Sequence, residues 1–377
     1  MQNPNVGVII GRFQPVTLEQ IERLFSPAIS DNNIVVVILG SSDTARDSRD
    51  PFVAAERSNM IDEALADYGL DYHKVEYRRA RDYWYNKTRF LTKVQEAVSE
   101  GIKSAYGPDH RLSDCNITLY GVDRRHEETD YLNSFPRWNS EVEVIEDIES
   151  RYAEIMHGLY MNESNDWMSL VASSTSELLS QWIGTEHGKN MAAGHKHILK
   201  YRSKYDPLEG LPKDQYLWII DESGERIRQI SPAGHKLQFM TTDNVVIHQG
   251  NILLVRRRSH PGKGLWALPG GFLEADETAV AGAKRELQEE TRMKVRDEWL
   301  TKEDRFDHPK RSQRGRVLTH AFRWDVPSWF KIPQLKPERG FEREVTRVQW
   351  FALSEVINDM PHLLFEDHLD IIESMAY

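Results

Sequence analysis

Cysteine is nearly absent from this 377-residue chain, Cys115 being the single one. That excludes a disulfide framework and any multi-cysteine zinc site, and it fits a reducing cytoplasm. Long hydrophobic runs are missing as well. The most apolar stretch, Ile34 to Leu39, is far shorter than the roughly 20 residues a spanning helix needs, so no membrane partner is expected. The opening MQNPNVGVII lacks the basic-then-apolar plan of an export signal, and a cytoplasmic location is the expectation. Positive charge is in deficit: 48 Lys plus Arg stand against 59 Asp plus Glu, a formal net charge of −11. A chain-wide grip on nucleic acid is therefore disfavoured, although local basic patches can still hold phosphates.

What is present is ordinary for a folded soluble protein, with 40% hydrophobic and 28% charged residues. The length suggests two or three domains. Val6 to Ile10 is a short β-rich run ending in Gly11-Arg12-Phe13-Gln14-Pro15. Leu18, Ile21, Leu24 and Phe25 follow at helical spacing. Ile34 to Leu39 then runs into Gly40-Ser41-Ser42, and Asn116 to Tyr120 ends at Gly121. Continuous apolar runs suit parallel strands buried on both faces. Such sheets bind ligands beyond the carboxyl ends of their strands. Between Gly184 and Pro212 the apolar periodicity fades. The expected organisation is thus an α/β domain over 1–190, a linker over 191–235 and an α+β domain over 236–377. The second domain opens with strands at Phe239 to His248 and Ile252 to Arg256, joined by a Gly250-Asn251 turn.

The most informative segment is Gly271-Phe272-Leu273-Glu274-Ala275-Asp276-Glu277, followed after seven residues by Arg285-Glu286-Leu287-Gln288-Glu289-Glu290. On a helix Glu286, Glu289 and Glu290 share one face. Three clustered carboxylates repel one another unless a cation neutralises them, and hard oxygen donors suit magnesium or manganese rather than zinc. Arg285 is placed to pair with Glu277 and lock the loop onto the helix. Pro269-Gly270-Gly271 lets the preceding loop turn tightly. An acidic solvated helix face is the plainer reading of the carboxylates alone, but the joint spacing is rarely a product of chance.

This segment resembles the signature of the Nudix hydrolases at every position but one, Arg292 standing where the signature has glycine. The resemblance implies an enzyme that splits a diphosphate linked to a nucleoside. It makes Glu286, Glu289 and Glu290 the ligands of Mg2+, or of Mn2+, and leaves Glu342 or Glu344 as candidates for a general base, an exposed acidic loop being the alternative. Phe306 to Phe322 resembles an element of ADP-ribose pyrophosphatases fused to nicotinamide mononucleotide (NMN) adenylyltransferases. In it Arg311, Arg314 and Arg316 are candidates to pair with diphosphate oxygens, beside Gly270 and Gly271 of the loop. ADP-ribose, yielding AMP and ribose 5-phosphate, is the substrate the resemblance favours.

Gly11-Arg12-Phe13-Gln14-Pro15 resembles the opening of NMN adenylyltransferases, a Rossmann-like nucleotidylyltransferase fold. The likeness extends through Gly40-Ser41-Ser42, Arg49 to Phe52, Arg81 to Tyr85 and Tyr131 to Trp138. It makes Gly11, Arg12, Phe13, Trp84, Arg137 and Trp138 candidate nucleotide-binding residues, core packing being the alternative for the aromatics. Two departures bear on activity. Where the family has a His-x-Gly-His motif for the ATP phosphates, this chain has Thr17-Leu18-Glu19-Gln20. Where a Ser-Ser-Thr motif ends in a phosphate-gripping arginine, Ser173-Ser174-Thr175 leads to Leu178. Adenylyl transfer depends on positioning and charge stabilisation, so the expectation is a domain that binds NMN, ATP or NAD(H) but transfers poorly. The alternatives are a fully bifunctional enzyme and a non-catalytic nucleotide sensor. NADH and capped RNA stand as further substrate candidates, and the oligomeric state, a homo-oligomer included, is left open.

Overall fold

A computed structural model describes residues 3–122, 131–143, 148–162, 164–205, 218–220, 226–228, 238–274, 276–337 and 344–376. The chain divides into two compact units, Met1–Ala193 and Gly194–Tyr377. Among the described residues no helix is long and apolar enough to cross a membrane.

The first unit is built on a five-stranded sheet of β1 (Asn5–Gly11), β2 (Ile34–Leu39), β3 (Val75–Arg79), β4 (Asn116–Val122) and β5 (Asn139–Glu143). All neighbours are parallel and the order is β3-β2-β1-β4-β5, a Rossmann-like arrangement. Strands β1 and β2 are buried on both faces, which is why they read as unbroken apolar runs. On one side lie α1 (Leu18–Gln20), a π-helical segment Ile21–Phe25, α2 (Ser26–Asp31) and α3 (Ala54–Asp67), with Phe25, Ile61 and Leu65 packed on Val35 and Val37. On the other, α4 (Lys87–Tyr106) sets Val94, Val98 and Ile102 against Val36 and Ile38. Helices α5 (Ile148–Met161) and α6 (Ser173–Trp182) contribute Ile155 and Leu179 to a further apolar cluster around Phe52. Strands β3 and β5 lie at the sheet edges and carry no apolar run, so the sequence reading does not include them. Where a linker is expected to start at 191, α7 (Glu186–Tyr205) runs on as one helix. Expected linker positions 206–217, 221–225 and 229–235 lie outside the described residues.

The second unit begins with a short antiparallel pair, β6 (Trp218–Ile220) and β7 (Arg226–Arg228). Its main sheet is mixed. Strand β8 (Phe239–His248) runs parallel to β13 (Val317–Asp325) and antiparallel to β9 (Asn251–Arg257) and β11 (Gly270–Phe272). Strand β9 also takes β10 (Trp266–Ala267) and β14 (Val345–Ala352), and β12 (Leu300–Phe306) pairs with β13. The β8–β9 turn is Gln249-Gly250, with φ of 48° and 75°, one residue earlier than expected. A two-residue hairpin of this kind needs positive φ at both central positions, and His248 then pairs with Asn251.

Three helices complete this unit, α8 (Ala279–Thr291), α9 (Leu353–Asn358) and α10 (His368–Ala376). Thr278 caps α8 through its hydroxyl, which accepts from the Ala281 N–H. The helix buries Ala283 and Leu287 against Val246, Leu253, Phe322 and Trp324, so its opposite face is left for chemistry. It stops at Arg292, whose φ of 64° is the left-handed cap that glycine ordinarily supplies.

Candidate active site

In the second unit the loop before α8 and the helix itself are tied by one buried amide. Asn244 on β8 donates to the Pro269 and Ala283 carbonyls and accepts from the Trp324 indole. This residue carries no sequence signal of its own. Above it, Arg285 forks onto Glu277 with Nε at 3.0 Å and Nη2 at 2.6 Å, the pairing the spacing implies. The same guanidinium reaches Glu286 at 2.9 Å and Glu289 at 3.0 Å. Gly271 is glycine for a steric reason: a Cβ there would stand 2.4 Å from Glu286 Oε1. Gly270 donates its N–H to Glu290 at 2.9 Å.

These groups border a cavity of about 570 Å³, within the size range of ligand pockets. Its lining includes the carboxylates of Glu286, Glu290 and Glu344. Burial pushes the Glu286 carboxyl up to about 7, and burial together with the Glu286 charge holds Glu290 well above the usual carboxylate range. Glu344 acts electrostatically on both. Glu289 is turned to Arg285 and is not among the lining residues. The expected cluster of three helix carboxylates is thus split. Among the described residues no three acidic, imidazole or thiol side chains stand close enough to hold an ion as they are. Glu342 lies outside the described residues.

The three expected arginines meet different fates. Arg311 is buried, bidentate to Asp367 at 2.8 and 2.9 Å, and is among the residues lining the cavity. Arg316 donates to the Asp307 carbonyl and does not line the cavity. Arg314 does, its guanidinium 5.4 Å from the Phe272 ring and 5.7 Å from Phe365. Arg257, a lining arginine that the sequence reading does not single out, stands 4.0 Å over Phe365 as well. Burial lowers Arg257 to about 10, and the Arg314 charge adds to the effect. His368, on α10, accepts the Leu268 N–H at 2.8 Å and so pins the loop that leads to Gly270.

The chain is similar to several known proteins. The NUDIX domain family matches residues 239–375. Over 134 residues the chain is 31% identical to an ADP-ribose pyrophosphatase of Methanocaldococcus jannaschii, covering 36% of this chain and 70% of that protein. The chain belongs to the Nudix family. It also carries a second unit beyond the Nudix domain. A nicotinamide/nicotinic acid mononucleotide adenylyltransferase of Acinetobacter baylyi is 29% identical over 132 residues, 35% of this chain and 62% of that protein. A crystal structure of a bifunctional NMN adenylyltransferase/ADP ribose pyrophosphatase from Francisella tularensis, complexed with AMP and a manganese ion, is 26% identical. It aligns over 99% of this chain and 98% of its own with a TM-score of 0.78. This Nudix protein is thus a Nudix hydrolase domain joined to an NMN adenylyltransferase-like domain.

In that adenylyltransferase-like domain Gly11, Arg12 and Phe13 come together at the carboxyl end of β1, in a cleft with only about 20 Å³ of free space. That is room for about one water. Its walls are fastened to each other. Thr17 is an N-cap, its hydroxyl accepting from the Gln20 N–H while its own N–H donates to the Gln20 side chain. Gln20 hydrogen bonds Tyr152 on α5, Glu19 lies 3.5 Å from Arg151, and the Tyr131 hydroxyl donates to the Ile10 carbonyl. Trp138 stacks on Phe135 at 4.3 Å against an apolar cluster, and Arg49 lies 5.9 Å over Trp84. Trp84, Trp138 and the exposed Arg137 are not among the residues lining the cleft.

Ser173-Ser174-Thr175 lies elsewhere. Ser173 and Ser174 both donate to Asp67, the last residue of α3, and those bonds hold its carboxyl below the usual range. The first turn of α3 carries Arg57, which donates to the Gly40 carbonyl at the strand ends. A 14-residue helix is about 21 Å long. Leu178, further along α6, packs in the apolar cluster with Phe52 and Trp182, and Phe52 in turn bonds Gln14, next to Phe13 of the cleft. The residues that face Thr17 to Gln20 are Arg151 and Tyr152, partners more than 130 positions away in the chain.

Proposed function

We propose that the C-terminal site hydrolyses the diphosphate of ADP-ribose, releasing AMP and ribose 5-phosphate, and that the N-terminal domain binds a nucleotide without transferring an adenylyl group. The observation that carries the first part is the cavity's lining, where the carboxylates of Glu286, Glu290 and Glu344 stand with the guanidiniums of Arg257 and Arg314 around one space. The residues fit a divalent cation, because Glu286, Glu290 and Glu344 are hard oxygen donors whose mutual repulsion and burial are relieved by positive charge. When bound, Mg2+ or Mn2+ supplies charge neutralisation at the diphosphate oxygens and lowers the pKa of a coordinated water.

The protein's own groups do the rest. Arg285 orients Glu286 and Glu289 from its anchor on Glu277, and the Gly270 N–H fixes one Glu290 oxygen. Glu344, opposite the helix, accepts the proton of the attacking water. Arg314 and Arg257 hold the phosphate oxygens, and Phe272, 37% exposed, offers a flat face for a base. ADP-ribose is favoured by the names of the Methanocaldococcus and Francisella relatives. A turnover panel of ADP-ribose, NADH, diadenosine polyphosphates and capped RNA, with magnesium and with manganese, tests the choice. Fastest release of AMP from ADP-ribose is expected, and absence of metal-dependent turnover on every diphosphate overturns the reading.

The second part is supported by the self-satisfied cleft. Thr17 and Gln20 spend their polar atoms on a helix cap and on Tyr152, and Glu19 places negative charge beside them. A coupled assay of NMN plus ATP is expected to give no NAD while NMN or ATP binds in calorimetry. Robust NAD formation would show that other side chains supply the missing donors.

A further inference from the structure

Two guanidiniums that line the cavity share one phenyl ring. Arg257 lies 4.0 Å and Arg314 5.7 Å from the Phe365 centroid. Like charges held so close repel, Glu366, Glu290 and Asp243 offset part of that repulsion, and the pair presents positive charge to an anion in the cavity. Arg257 is fixed by burial and by its bond to the Pro261 carbonyl. Arg314 sits on a loop, and its position depends on what tethers it.

The tether is Glu366. Its carboxylate is 4% exposed, accepting from the Ser312 hydroxyl at 2.8 Å and from Arg314 Nη2 at 3.3 Å. Ser312 completes a triangle by accepting from the Arg314 Nε and backbone N–H, each at 3.2 Å. Glu366 also has a φ of 45°, a left-handed backbone that costs a non-glycine residue roughly 1 kcal/mol or more. Its neighbours hold that bend from both sides. The Phe365 N–H donates to Trp266, Asp367 clasps Arg311, and His368 accepts from Leu268. The strained turn brings Phe365 and His368 to the cavity lining, while Glu366 and Asp367 between them tether the lining arginines Arg314 and Arg311.

Taking the cavity as a diphosphate hydrolase site, we propose that Glu366 is a positioning residue that aims Arg314 at the substrate's phosphates and so sets affinity for diphosphate rather than the rate of bond cleavage. The test is a double-mutant cycle on the full chain with ADP-ribose and manganese. Glu366→Ala and Arg314→Ala are each expected to raise KM roughly 10- to 100-fold, the loss of one charge-assisted bond, with kcat changed less than about threefold. In the Arg314→Ala background, Glu366→Ala is expected to add nothing, because both act through one guanidinium. Glu366→Gln, which keeps the shape and the Ser312 bond, is expected to fall between wild type and Glu366→Ala, and it serves if the alanine variant folds poorly. Additive effects, or a loss of kcat with KM unchanged, overturn the proposal while leaving the hydrolase reading intact. A wild-type protein that turns over no diphosphate overturns both.

Discussion

The two units each bring a glycine-bearing loop to the start of a helix, yet they leave their polar groups in opposite conditions. In the first, Gln20 bonds Thr17 and Tyr152 while Tyr131 donates to the Ile10 carbonyl, around a cleft of about 20 Å³. In the second, Glu286 and Glu290 are buried with raised pKa values and line a cavity of about 570 Å³ together with Arg257 and Arg314. A loop before a helix can have its polar groups tied up by hydrogen bonds within one unit and leave them lining a cavity in the other. Capacity for chemistry depends on groups that folding leaves electrostatically unsatisfied.

The sharpest way to break this contrast is Glu290→Gln. It removes a charge from the acidic lining while keeping shape, and metal-dependent hydrolysis is expected to fall roughly 10³-fold, the equivalent of about 4 kcal/mol of barrier. Unchanged turnover would mean that these carboxylates are not where the reaction occurs. Next comes Asp367→Ala, which strands the buried Arg311 and should destabilise the second unit by about 3–5 kcal/mol in denaturant titrations. A loss below 1 kcal/mol would show that Arg311 is available to ligands.

The raised Glu286 carboxyl makes a third contrast. The folded unit holds this proton up to about 7, against 4.5 for the solvent-exposed carboxyl of the unfolded chain. The stabilisation is therefore complete below about 4.5 and is lost as pH climbs to about 7. Without divalent ions, unfolding free energy should decline over that window, and Mn2+ should restore it at the alkaline end. Glu286→Gln should flatten the slope, and an identical slope in that variant would contradict the assignment. The smallest effect is Thr17→Ala. It deletes a helix cap for about 1 kcal/mol in the first unit and should leave hydrolysis untouched.

How far the sequence carried depended on the distance between partners. The helix carboxylates, Arg285 with Glu277, and the glycines beside them lie within twenty positions, so spacing alone exposes them. Strands β1 and β2 were legible because burial on both faces leaves an unbroken apolar run, whereas edge strand β3, Val-Glu-Tyr-Arg-Arg, leaves none. The pairing of Arg311 with Asp367, 56 residues away, and that of Ser174 with Asp67, 107 residues away, carry no spacing signal and are visible only in the fold. Glu366 gave no signal, its role resting on a backbone bend and on contacts 52 and 54 positions back.

Arg285 spreads one guanidinium over Glu277, Glu286 and Glu289, and so acts as a resident counter-ion for the helix that bears the acidic face. A zinc finger collapses when its ion is withdrawn. Here a chelator should silence the enzyme and leave it folded, ready to resume when ions return. Ion supply then works as a reversible throttle on turnover, with protein abundance unaffected.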